Sequence, residues 1–124
     1  MKRERLLSAA AAIAIAFGGY IHFDLYRHAY QHIANIGVLF ALNVIASAGL
    51  VVALVLRPNR LSHLAALLFT VGSLAGFIAS RTIGLLGFKE TGLTPSPQAL
   101  LTLIAELSAI TLLTTATALL SRNR

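Results

Sequence analysis

The 124-residue chain contains no cysteine, no tryptophan and few charged residues. Without cysteine it can form no disulfide, no thiolate metal site and no iron–sulfur cluster. Charged residues make up 11% of the chain, against about 25% of a typical soluble domain. A soluble fold with so few charges would expose large apolar patches and would aggregate. The composition therefore predicts a single domain that lies in lipid.

Acidic residues are also scarce: four Asp and Glu stand against ten Lys and Arg, for a net charge of +6. The basic residues form short clusters at the ends of apolar runs rather than one patch with interleaved aromatic residues. This charge pattern is typical of membrane topology. We therefore expect the lipid bilayer as a partner, and no nucleic acid.

Four apolar runs approach or exceed the roughly 20 residues that a helix needs to cross a bilayer. They cover about residues 6–23, 33–56, 61–79 and 97–120. The connection at 57–60 is so short that the second and third runs must form an antiparallel hairpin. The sequence predicts an all-α fold, a four-helix antiparallel transmembrane bundle.

The distribution of Lys and Arg predicts the orientation of this bundle, because cytoplasmic loops carry the excess of positive charge. Three basic residues fall on one side, and seven fall on the side of the N-terminus: Lys2, Arg3, Arg5, Arg57, Arg60, Arg122 and Arg124. We expect a multi-pass protein of the cell (plasma) membrane with both termini in the cytoplasm. The alternative is that the first run is a cleaved signal peptide, which would leave three helices.

One polar stretch, residues 20–33, interrupts the apolar pattern and holds three of the four histidines. Asp24, His28 and His32 are spaced four apart, so on a helix they share one face. Either the H-x-x-x-H pair His28 and His32 or the pair Asp24 and His28 can share one metal ion, with His22 or Glu90 as a further ligand.

The same stretch has a second interpretation that needs no ligand. Residues 20–26 alternate polar and apolar, which is typical of an extended segment. The alternation also suits an interfacial collar, in which His and Tyr side chains lie at the level of the lipid headgroups.

Glu106 lies about ten residues into the fourth run, near the middle of the bilayer. Ionisable residues at this depth face the bundle interior and indicate function. One hypothesis is a proton or cation site with Asn43 on its path. The other is a protonated glutamic acid that hydrogen-bonds neighbouring helices. Polar residues at similar depth are Asn43, Ser47, Thr70 and Ser73.

Small residues follow one stripe of the third run, at Gly72 and Gly76. In lipid such stripes allow two helices to approach closely. We expect a tight helix contact here, either within the chain or between the protomers of a homo-oligomer.

A resemblance supports the architecture. The segments that carry it are His22–Tyr26, Tyr30–Asn43 and Ile83–Glu90. In these segments the chain resembles small four-helix integral membrane proteins of actinobacterial type. The resemblance implies the four-helix fold and no particular activity.

Three functions are consistent with these observations. With no nucleophile constellation and no cofactor fingerprint, we expect no enzyme and no cofactor, and favour an accessory or interaction subunit of a larger membrane complex. The first alternative is a proton- or cation-coupled transporter or channel subunit that uses Glu106. The second is metal binding at the outer face through His28 and His32.

Overall fold

The computed structural model describes residues 2–122, and this part of the chain consists of helices and their connections. The four α-helices are α1 (Lys2–Leu25), α2 (Ile36–Leu56), α3 (Arg60–Arg81) and α4 (Gln98–Arg122). The predicted all-α, four-helix bundle is therefore confirmed. All four helices are long and apolar enough to cross a membrane.

The two ends of the bundle differ in the length of their connections. One end, here the hairpin end, holds the tight turn of residues 57–59 between α2 and α3. Asn59 closes this turn, because its side chain accepts a hydrogen bond from Ser62 N (2.9 Å) and its own N–H donates to Ser62 Oγ (3.0 Å). This reciprocal capping box satisfies backbone donors at the start of α3. The other end, here the loop end, holds residues 26–35 and 82–97.

The first helix lies at the centre of the packing, because it contacts both α2 and α4. Two buried glycines, Gly18 and Gly19, lie at these contacts, and the contact with α2 requires glycine at position 19. A Cβ atom at Gly19 would lie 2.8 Å from Ser47 Cβ on α2, and one at Gly18 would lie 3.9 Å from Ala105 Cβ on α4. Without a driving force from lipid, such close approach is what holds membrane helices together.

The core toward the hairpin end is built mainly from small and branched residues. Its fully buried members come from all four helices: Ala11, Ala12, Ile15, Leu54, Ala66, Ala109 and Leu113. The packing is uneven, because α2 and α3 contact each other much less than α2 contacts α1 or α3 contacts α4. The space between them is the cavity described below.

A buried polar contact joins α1 to α3 at the hairpin end. Ser8 Oγ donates to the carbonyl of Glu4 at 2.7 Å and lies 2.6 Å from His63 Nε2. Because the serine proton is used on that carbonyl, His63 must donate from Nε2. Both side chains are fully buried, so this hydrogen bond is shielded from competing water.

At the loop end α1 continues into one wide π-turn, Tyr26–Tyr30. Gln31 N donates to Tyr26 O at 2.9 Å, five residues back, which defines this turn. The chain then folds tightly onto the start of α2, where a Cβ at Gly37 would lie 2.5 Å from Gln31 O. Only glycine fits at this crossing.

Replacing Gly19 with alanine should destabilise the bundle by about 1–3 kcal/mol, because the new methyl group overlaps Ser47 Cβ and overpacking costs this much. Gly72→Ala is the matched control, since a Cβ there meets no atom within 4 Å. Thermal unfolding of both variants in detergent checks this. Equal melting temperatures for the two would contradict the close approach of α1 to α2.

Replacing Ser8 with alanine should cost about 1–3 kcal/mol, because His63 Nε2 would be left buried without a partner. Ser108→Ala, on an exposed position of α4, should be close to neutral. Chemical unfolding in detergent measures both. A Ser8→Ala protein as stable as the Ser108→Ala control would show that the Ser8–His63 contact contributes nothing.

Candidate functional site

A cavity of about 400 Å³ lies between α2, α3 and α4 in the half of the bundle toward the loop end. This volume is within the range of about 300–1,000 Å³ that small-molecule sites occupy. Its walls are mostly apolar. Leu39, Leu42 and Gly72 line it and are also exposed, so the cavity reaches the molecular surface between α2 and α3.

Aromatic side chains form much of the wall. Four of the six phenylalanines and one tyrosine line the cavity: Tyr30, Phe40, Phe69, Phe77 and Phe88. The Tyr30 ring packs edge-on against Phe40 at 4.8 Å and against Phe88 at 5.4 Å between centroids. These three rings join the π-turn after α1, the start of α2 and the loop of residues 82–97.

The loop of residues 82–97 covers the cavity, and a hydrogen bond attaches it to the π-turn that follows α1. Tyr30 Oη donates to Glu90 Oε1, and both residues line the cavity. The backbone of Glu90 is fixed as well, because its N–H donates to Ser80 O at 2.7 Å. The loop is therefore held over the cavity from two helices.

Arg81 fastens the far part of the same loop. Its Nε donates to Gly92 O at 2.6 Å, one Nη donates to Thr94 O at 2.5 Å, and the other donates to Ser80 Oγ at 2.9 Å. The guanidinium carbon lies 3.9 Å above the centre of the Phe77 ring. The positive charge of Arg81 is thus already solvated by carbonyls, a hydroxyl and an aromatic face.

The polar residues of α2 and α3 bond one another across the inner wall. Asn43 Nδ2 donates to Ser73 Oγ at 3.0 Å, and Ser47 Oγ donates to Asn43 Oδ1 at 3.3 Å. Asn43 is therefore a hydrogen-bonding link between two helices and also a lining residue of the cavity.

Glu106 lies on the opposite wall, on α4, and is 6% exposed. Among the described residues, its Oε1 is buried and has no hydrogen-bond partner. Buried polar atoms are nearly always paired, so an exception calls for an explanation such as a ligand or an ion. Glu106 lines the cavity and is its strongest candidate contact for a polar group.

Two further oxygens on α4 repeat this pattern. Gln98 Oε1 and Thr102 Oγ1 are buried and without partners among residues 2–122. Gln98, Thr102 and Glu106 are four residues apart, so they share one helix face with steps of about 6 Å along the axis. Together these three side chains form a row of buried oxygens from the loop end to Glu106.

His22 is a wall residue rather than a surface one. Its Nδ1 lies 2.8 Å from Gly18 O, so this atom carries the ring proton and donates. Nε2 is then the acceptor atom. The ring lies 5.0 Å from Phe40 and lines the cavity. The sequence pattern groups His22 with the outer histidines, because it does not show the packed helix face that begins at Gly18.

A second, smaller cavity of about 20 Å³ adjoins Glu106. The four polar residues that the sequence predicts at the depth of Glu106 all line this smaller cavity: Asn43, Ser47, Thr70 and Ser73. A space of about 10–15 Å³ with several polar partners is enough for one water molecule. The polar side chains of the bundle thus converge on the carboxyl of Glu106.

The residues of the metal hypothesis are arranged differently. Asp24 Oδ1 lies 3.1 Å from His28 Nδ1 at the surface. Asp24 lies on α1 and His28 in the π-turn, whereas His32 is exposed and lies beyond that turn. Within residues 2–122, no group of three His, Asp or Glu side chains is placed to hold a metal ion. Glu90, the suggested further ligand, bonds Tyr30 instead.

The glycine stripe of α3 does not contact another helix closely within the chain. A Cβ at Gly72 would meet nothing within 4 Å, and one at Gly76 would meet only Leu85 Cδ2, at 3.8 Å. Both glycines line the cavity. Their small size keeps that space open.

Replacing Tyr30 with phenylalanine should loosen the loop of residues 82–97, because the hydrogen bond to Glu90 is lost. Bonds to charged groups contribute about 1.5–3 kcal/mol, so amide hydrogen exchange in this loop should accelerate by about tenfold or more. Tyr26→Phe, one helical turn earlier, is the matched control. Equal exchange rates in the two variants would show that Tyr30 does not hold the loop.

Comparisons with known proteins add no relative to this picture: no protein-family model, no curated protein and no solved structure matches the chain.

Proposed function

We propose that this chain is a small-molecule binding protein of the membrane, and that its cavity holds a largely apolar ligand whose polar group contacts Glu106. The observation that carries the proposal is the partnerless Oε1 of a buried carboxyl on the wall of a 400 Å³ cavity. Ligand sites typically combine an apolar lining with a few convergent polar groups.

The position of the opening supports entry from the bilayer. The cavity reaches the surface between α2 and α3, beside exposed apolar residues of both helices such as Leu42 and Val71. In a bilayer this surface faces lipid tails, so an apolar ligand partitioned into the membrane meets the opening directly. The loop of residues 82–97 closes the route from the aqueous phase.

We further propose that the protein spans the cell membrane with both termini in the cytoplasm. The count of seven basic residues against three supports this orientation. The loop end, with Tyr30, Arg81 and Glu90, would then face outward. The cavity would lie in the outer half of the bilayer, and the Ser8–His63 contact would lie in the inner half.

The accessory role favoured by the sequence rested on the lack of a recognisable site. The cavity supplies such a site within one chain, and it recruits Glu106 and Asn43 together. The transporter alternative fits the cavity better than the accessory role does, since transport, like ligand binding, needs Glu106 to face an enclosed space. For metal binding, the surface pair Asp24–His28 offers two ligands only.

Filling the cavity should abolish ligand binding. Gly72→Leu adds a large side chain at the cavity wall, and its Cβ meets nothing within 4 Å. Gly49→Leu is the matched control: Gly49 is equally open but lies on α2 outside the cavity. The probe is phenylnaphthylamine, an apolar dye that fluoresces when shielded from water, titrated into protein in lipid nanodiscs.

We expect saturable dye binding to the wild-type protein and to Gly49→Leu, and a loss of about tenfold or more in affinity for Gly72→Leu, since a filled pocket excludes the ligand. Empty nanodiscs correct for dye dissolved in lipid. Binding that is unchanged in Gly72→Leu, or absent from the wild-type protein, would reject the proposed function.

A further inference from the structure

The charged groups around the cavity do not balance. Among residues 2–122, the Arg, Lys, Asp and Glu side chains that line it are Arg81, Glu90 and Glu106. Arg81 and Glu90 both lie at the covering loop, and each has protein partners there. When ionised, Glu106 is one negative charge in excess, and its Oε1 has no hydrogen-bond partner among these residues. A single positive charge on a ligand would complete the site.

The walls select the kind of cation. An inorganic ion such as Ca²⁺ or Mg²⁺ needs six or so oxygen ligands, whereas most of this lining is aliphatic and aromatic. Aromatic rings attract organic cations through their negative faces, and clustered rings are a known way to hold quaternary ammonium groups. The wall already shows this chemistry, because the Arg81 guanidinium stacks on Phe77 at 3.9 Å.

We infer that the ligand is an apolar organic cation, a substituted ammonium, which binds in exchange for the proton of Glu106. This inference rests on the proposed function. The carboxyl holds either the proton or the cation. When the cation enters, the O–H bond of Glu106 breaks and the proton leaves to water, so the net charge of the site does not change.

The experiment compares the binding of a cation with the binding of its neutral isostere. Trimethylphenylammonium and tert-butylbenzene have the same shape and differ in one atom and one charge. Each is titrated against bound phenylnaphthylamine, with the full chain in nanodiscs. For each compound the ratio of affinities between wild type and Glu106→Gln is taken, so that partition into lipid cancels. Asp24→Asn is the matched control, since it neutralises a carboxyl that does not line the cavity.

We expect Glu106→Gln to weaken binding of the cation by about tenfold or more, as a charge-assisted contact is lost, and to change binding of the neutral compound by less than about twofold. Asp24→Asn should change neither. Phe40→Leu should weaken the cation more than the neutral compound, while Phe17→Leu, at an exposed ring outside the cavity, should not.

The pH dependence of binding gives a second measurement, which is made first on the wild-type protein. Protons compete for Glu106, so the wild-type affinity for trimethylphenylammonium should fall as the pH falls, and the affinity for tert-butylbenzene should not. The other titratable groups on the walls are His22 from α1, Arg81 from α3, and Tyr30 and Glu90 at the loop; the lining residues of α2 include none. Glu106→Gln should remove the pH dependence.

Two results would overturn the inference: an effect of Glu106→Gln that is equal for the two compounds, or a pH dependence of cation binding that survives in Glu106→Gln and so belongs to another group on the walls. In each case the proposed function stands as long as Gly72→Leu still abolishes dye binding. If Gly72→Leu leaves the affinity for the dye unchanged, the proposed function itself fails, and the inference fails with it.

Discussion

The close approach of α1 to α2 at Gly19 is the contact around which the bundle is arranged. With no side chain at Gly19, the backbone of α1 can lie against Ser47 of α2, while its other side packs on α4. The remaining pair, α2 and α3, is tied by a tight turn at one end and diverges toward the other. The cavity is the consequence of that divergence, and the small residues Gly72 and Gly76 keep it open.

The second constraint is electrostatic. A polar group in the interior of a membrane protein must find partners, since lipid offers none. Most groups here do: Asn43 with Ser73, Tyr30 with Glu90, and Arg81 with the loop carbonyls. Glu106 is the exception among the described residues that line the cavity, together with Thr102 one turn before it. The same network that closes the cavity thus leaves one carboxyl available to whatever enters.

The architecture was predictable because it depends on composition and run length. Four apolar runs, one short turn and few charges leave little besides a four-helix bundle. Glu106 was also predictable as a special residue, because a lone acid in an apolar run is costly. Its surroundings were not, since they depend on which faces of the helices meet. The π-turn at residues 26–30 carries His28 and separates His32 from Asp24, and no periodicity indicates it. Thr102 and Gln98 could have been found from their spacing of four and eight residues before Glu106.

The most direct test of the account observes the Glu106 carboxyl itself. Infrared difference spectroscopy of the protein in nanodiscs, with Glu106→Gln to assign the band, reports the carbonyl stretch of the protonated acid. At a pH where this band is present, adding trimethylphenylammonium should remove it and produce the carboxylate bands in its place. Binding of the cation with the band unchanged would contradict the account, because the ligand would then lie in the protein without engaging the one carboxyl that the cavity leaves unpaired.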